Sequence, residues 1–180
     1  MDKTMIPDRI LQRLSNGQEC RRMVQPMEAR AEDEGSCIVE GYACTFGEPY
    51  LLWGDGEYEL WESIDARAFD GCDMTDVIMQ YDHEGRVFAR NRNNTLDCTP
   101  DSHGLLTRAT LGGTELGRQV YSEVKGGYSD KMSFRFRVAE DERVIREDHE
   151  NNKVIVTRTI TKISKLYDVS VVSIPANDMT

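Results

Sequence analysis

Residues 131–144 read KMSFRFRVAEDERV. Met132, Phe134, Phe136 and Val138 alternate with Ser133, Arg135 and Arg137. A period of two belongs to a strand, whose successive side chains point to opposite faces. One face is therefore apolar and the other polar. Ser133 reads as an outward-facing residue beside two arginines.

Working outward from this strand, GGTELGRQVYSEVKGG (112–127) precedes it. Thr114 is suited to cap a helix, Leu116, Val120 and Val124 recur every four residues, and Gly126-Gly127 ends the pattern. Downstream, KVIVTRTITKI (153–163) and LYDVSVVSIPAND (166–178) read as two β-branched strands. The charged EDER (140–143) and REDHENN (146–152) flank a hairpin-like region. Upstream lie DVIMQYD (76–82), RVFAR (86–90), NTLDC (94–98) and GLLTRATL (104–111), all with strand signals. ESIDARAFDGCD (62–73) is compatible with a short helix stopped by Gly71. MVQPMEARAEDEGSCIVEGYACTF (23–46) reads as two extended segments about the turn at Glu34-Gly35-Ser36.

PDRILQRL (7–14) has the pattern of two helical turns. It lies in a segment, residues 1–22, that carries no site chemistry and reads as peripheral. Residues 23–180 read as one domain. Seven or eight strands against one clear helix point to an α+β, mainly β class.

Composition narrows the function. The 180 residues are 39% apolar and 30% charged, as in a soluble domain with a solvated surface. The formal charge of −10, from 32 acidic and 22 basic residues, argues against nonspecific binding of nucleic acid, which draws on clustered Lys and Arg. No stretch is apolar for long enough to read as a membrane-spanning helix, and no signal core is legible near Met1. The five cysteines (20, 37, 44, 72 and 98) form no C-x-x-C pair, so reduced thiols are expected rather than a disulfide framework or a zinc site.

Three residues stand out chemically. His83, in MQYDHEGRVFAR (79–90), follows an apolar run at a strand end. It reads as an ordinary half-exposed histidine, a metal ligand or a general base. His103 and His149 lie in turn-like stretches, and no H-x-x-x-H or H-x-H spacing supports a metal. Ser133 is a candidate nucleophile, with Ser129 in GGYSDKM as a rival. Asp168 is a carboxylate at the head of a β-branched strand, a poor position unless it is exposed or paired. Cys44 and Cys98 have no local feature that would lower a thiol pKa and read as inert.

Taken in order, VEGYACTF, ESIDARAF, VIMQYDHEGRVFAR, GTELGRQVYSEVKGGYSDKMSFRF and LYDVSVVSIPAND resemble the prohead maturation proteases of tailed phages. Those enzymes are distantly similar to the herpesvirus capsid protease, assemblin. The resemblance runs over residues 38–178. It implies a small, mostly antiparallel β-barrel flanked by a few helices, and a serine endopeptidase acting inside the immature capsid in the host cytoplasm. The substrates it implies are scaffold protein, the scaffold-like part of the major capsid protein, and the enzyme itself. It implies no cofactor. The herpesvirus relatives are activated by dimerisation, so self-association is a further expectation.

The resemblance carries the roles of base, nucleophile and third member onto His83, Ser133 and Asp168. Both neighbours of the histidine differ from the usual N-H-D, and Arg135 stands where the family commonly has glycine. Backbone N–H groups are expected to form the oxyanion hole, with Pro175-Ala176-Asn177 a candidate by analogy. A non-catalytic capsid assembly factor on the same fold and a cysteine hydrolase are the alternatives.

Overall fold

Ten strands and one α-helix make up the regular structure of residues 18–30 and 36–173, the part of the chain that the computed structural model describes. In chain order they are β1 (Gln18–Arg30), β2 (Ile38–Thr45), β3 (Tyr50–Gly54), β4 (Tyr58–Ile64), β5 (Ile78–Tyr81), β6 (Glu84–Arg90), β7 (Leu96–Pro100), β8 (Gly104–Thr110), α1 (Glu115–Lys125), β9 (Lys131–Asp148) and β10 (Lys153–Val172). A single 3₁₀ turn, Asn91–Asn93, follows β6. The helical pattern at residues 7–14 and the turn at residues 175–177 lie outside the described residues. Residues 18–22, assigned by sequence to the N-terminal segment, belong to β1.

β10 is the spine. The stretch KVIVTRTI alternates half-buried and buried positions, and its β-branched side chains suit a pleated surface. The strand read at 153–163 runs on into the one read from residue 166 as the single strand Lys153–Val172, interrupted only by register shifts; residues 174–178 lie outside the described residues. β9 runs antiparallel along its whole length. On the other edge β4 pairs in parallel with residues 154–160, and β5 pairs in parallel with residues 168–171. The pairing path is β3-β4-β10-β9-β1-β2-β8-β7, with β5 and β6 branching from β10. The class is thus mainly β and mostly antiparallel. No pairing among the described strands joins β3 to β7, so the barrel implied by the resemblance is not closed by hydrogen bonds between them.

The charged EDER does not leave the strand. It lies within β9, opposite β10 residues 158–162. Its central carboxylate is held by two guanidiniums: Arg143 Nε donates to Asp141, and so does Arg158 Nε from β10. β3 and β4 were not legible as strands. In β4 the buried Glu62 and Ser63 break the apolar alternation, and Glu62 is tolerated only because Arg21 and Arg158 reach it from β1 and β10.

Residues 62–73 do not form the short helix that their sequence allows: 62–64 end β4, and 65–73 form successive turns. Ala68, Asp70 and Cys72 N–H groups donate three residues back, and Asp65 Oδ1 takes the N–H of Arg67. The β10 edge competes for the rest: Ile163 N donates to Ala68 O, and Asp73 N to Ser164 O. A helix would have to give those bonds up.

The helix α1 has the ends its sequence specifies. Thr114 Oγ1 accepts from Gly117 N at 2.9 Å. Gly127, at φ 72°, lets its own N–H reach Val124 O and that of Tyr128 reach Glu123 O, which is a Schellman stop. Val120 and Val124 are buried and join the main core with Met79, Met132, Phe134, Phe136 and Val169.

Candidate active site

The β9–β10 register decides which side chains meet. Ser133 stands opposite Ser170, and Arg135 opposite Asp168, so all four lie on one face. The opposite face carries Met132, Phe134, Val169 and Val171, all fully buried. Asp168 reaches the polar face through a bulge. Leu166 pairs with Phe136, whereas Asp168, two residues on, pairs with Arg135, so Tyr167 is the extra residue.

β5 and β6 bring the imidazole. Tyr81 pairs with Glu84 across a two-residue turn, Asp82-His83. Both turn residues have positive φ, 49° and 63°, the pattern of a type I′ hairpin. Asn-Gly is the common solution there. Asp and His are among the few other residues that tolerate this region. The strand therefore ends two residues before His83, and the ring projects from the turn itself. Asp82 N donates to Val171 O at 2.9 Å, and the Asp82 carboxylate accepts from Ser173 N and Ser173 Oγ.

These three pieces place His83 Nδ1 2.5 Å from Asp168 Oδ1 and His83 Nε2 2.5 Å from Ser133 Oγ. Ser133 Oγ also lies 2.9 Å from the carbonyl of Arg21, so Nε2 and that carbonyl are alternative acceptors for its single proton. Ser170 Oγ donates to Asp168 Oδ1 at 2.8 Å and lies 3.2 Å from His83 Nδ1. Arg135 Nη2 donates to His83 O at 3.1 Å, and Arg135 Nε is 3.5 Å from Asp168 Oδ2. A hydroxyl, an imidazole and a carboxylate in line can move one proton from Oγ to Nε2 while the carboxylate holds the other ring nitrogen.

A family model matches residues 25–180, and its description is caudovirus prohead serine protease. The chain belongs to that family. No curated protein and no solved structure matches the chain, so the further likeness to assemblin remains an expectation from sequence. Membership supports a serine protease of capsid maturation acting inside the prohead, with capsid proteins in general as substrates.

Within this family member, two readings from sequence change. Ser133 is not an exposed outward-facing serine. It is wholly buried, because β1 pairs along the outer edge of β9 and the His83 turn lies over the polar face. His83 is likewise only 7% exposed, not half-exposed. The rival residues lie elsewhere. Ser129 is hydrogen-bonded to Tyr81 Oη. His103 packs edge-on against Tyr42, and His149 is exposed beside Glu147. Burial pushes the thiols of Cys44 and Cys98 up to about 12, the wrong direction for a nucleophile.

Sequence reasoning missed Ser170 as a partner of Asp168. The signal was present, since residues two apart on a strand share a face. It also missed the carbonyl of Arg21, which no sequence pattern marks. Arg21 is fixed from its side-chain end. Its guanidinium pairs with Glu62 and Glu19, and Arg158 binds the same two carboxylates at 2.9–3.0 Å. This charged cluster is buried, and Arg21 links it through its backbone to the nucleophile.

Proposed function

We propose that this chain is a serine endopeptidase that cleaves scaffold protein, or the scaffold-like part of the major capsid protein, and itself, inside the assembling prohead. Ser133 is the nucleophile, His83 the general base and Asp168 the group that orients and balances the base, within one domain that takes in residues 23–180 and also residues 18–22 of β1. The observation that carries the reading is the bonding of a single imidazole to Ser133 at one nitrogen and to Asp168 at the other, in a chain of this family.

Ser133 Oγ attacks the scissile carbonyl carbon as its proton passes to His83 Nε2, forming a tetrahedral oxyanion. The imidazolium is stabilised by the carboxylate of Asp168. His83 then returns the proton to the leaving amine as the C–N bond breaks, and an acyl-serine remains. A water molecule, deprotonated by the same nitrogen, releases the acid and restores Ser133.

The test is co-expression with the cognate capsid and scaffold proteins, followed by mass spectrometry of new termini. New termini with the wild-type chain and none with Ser133→Ala are expected. One observation favours a second reading, a non-catalytic assembly factor: the full burial of Ser133 means that a carbonyl reaches Oγ only after a neighbour moves. A fluorophosphonate probe separates the two. Labelling at Ser133 supports the enzyme, and a chain that neither labels nor cleaves supports the assembly factor.

A further inference from the structure

We propose that Arg135 is a positioning residue of this site, one guanidinium that holds both the base-bearing turn and the buried carboxylate in register with the nucleophile. The inference rests on the serine-protease reading above. Arg135 lies two residues beyond Ser133 on the same strand face and directly opposite Asp168. Its side chain thus starts where both partners can be reached.

The two oxygens of Asp168 have different surroundings. Oδ1 takes His83 Nδ1 and the Ser170 hydroxyl. Oδ2 faces Arg135 Nε at 3.5 Å. Asp168 is only 2% exposed, and a carboxylate so buried needs charge compensation as well as hydrogen bonds. The Arg135 side chain is 28% exposed and keeps part of its hydration, so the compensation comes without burying a second ion completely.

The second contact acts on the turn. Asp82 and His83 sit in a backbone region that L-residues hold only when neighbours over-determine it. Val171 O and Ser173 secure Asp82. Arg135 Nη2 secures His83 itself, through its carbonyl. A planar fork can grip a carboxylate and a carbonyl together, which a lysine ammonium on a flexible stem does less well.

Two charged groups from packed strands act on His83: Asp168 from β10 at ring Nδ1, and Arg135 from β9 at the backbone carbonyl and beside the Asp168 carboxylate. Ser133 and Ser170 present uncharged hydroxyls. On its own turn, the Asp82 carboxylate is engaged by Ser173, and Glu84 is exposed. Removing the positive charge of Arg135 leaves the field of Asp168 on the ring uncompensated, so the ring should take up a proton at higher pH.

The experiment uses the full chain and two readouts. The first is the NMR titration of the His83 ring in Ser133→Ala, alone and combined with Arg135→Met, Arg135→Gln or Arg135→Lys. The midpoint should rise by about one pH unit in the Met and Gln variants and return towards the parent value in Lys. The second is kcat for capsid-protein cleavage by the single Arg135 variants. It should fall about 10-fold or more in Met and Gln, and stay roughly 3- to 10-fold reduced in Lys, where the charge is kept but the fork is lost. An unmoved midpoint in both Met and Gln overturns the proposal. So does a Lys variant equal to Met in both readouts, or wild-type kcat in Met. The titration needs no turnover. If the wild-type chain fails to cleave, the protease reading falls while the titration still decides the role of Arg135.

Discussion

Ser170 and Ser133 face each other across the β9–β10 ladder, and they hold the two ends of one hydrogen-bonded chain. Ser133 Oγ meets one nitrogen of His83, and Ser170 Oγ donates to the carboxylate that meets the other. The ladder thus sets the spacing of nucleophile and carboxylate, and the β5–β6 turn lays the imidazole between them.

Ser133→Ala should abolish cleavage and leave the fold intact. Because Ser133 is buried and bonded to His83 and the Arg21 carbonyl, the change should cost about 0.5–1.5 kcal/mol of stability. Ser129→Ala should cleave normally. Urea unfolding and single-turnover cleavage of both variants check this. Cleavage by Ser133→Ala at the wild-type rate would remove it as nucleophile.

His83→Ala should be inactive, while His103→Ala and His149→Ala should cleave at near wild-type rates, since neither ring lies in the site. The wild-type rate should fall on acidification, because a protonated imidazole cannot accept the Ser133 proton. A flat pH–rate profile from about pH 5 to 8, in protein shown to be folded by circular dichroism, would exclude a histidine base.

Asp168→Asn should lower single-turnover cleavage about 10- to 1,000-fold, equivalent to roughly 1.4–4 kcal/mol of transition-state stabilisation. Ser170→Ala should fall at the low end of that range, about 10-fold, the value of one hydrogen bond to a charged carboxylate. If charge rather than reach matters at Asp168, Asp168→Glu should outperform Asp168→Asn. An Asp168→Asn variant as fast as wild type would take the residue out of the mechanism.

Stability should fall in acid through the buried cluster. Burial alone pushes the Glu62 carboxyl up. The hydrogen bond and charge of Arg21, with Tyr50 and Arg158, outweigh it, and the carboxyl sits below its ordinary value of 4.5. A depressed value in the folded state means that the unfolded chain binds the proton more readily. The stabilisation is complete above about 4.5 and is lost as pH falls through the folded value. Asp141, lowered by Arg143 and Arg158 against its own burial, adds the same sign. Glu62→Gln should cost about 3–5 kcal/mol at neutral pH, because it leaves two buried guanidiniums short of an anion. It should also flatten the acid decline in melting temperature. An unchanged decline would assign acid sensitivity elsewhere.

What the sequence determined by itself is local. The alternation in KMSFRF, the β-branched run at 153–160 and the Thr114 and Gly127 caps report on backbone preference within a few residues, and those elements stand where they read. The ordered motifs also singled out His83, Ser133 and Asp168, which the fold brings into contact. Tertiary structure alone decided the rest, because the partners are far apart in the chain. Strand β4 could not be read from its sequence because Glu62 is satisfied by Arg158, 96 positions away. The burial of Ser133 depends on β1 and on the His83 turn. The bulge at Tyr167 is the sharpest case. Were Tyr167 paired in regular register instead of bulged, Asp168 would stand opposite Phe134, and Ser170 opposite Met132, on the apolar face. In a strand a slip of one residue exchanges the two faces, and no local pattern states which register the neighbouring strand will impose.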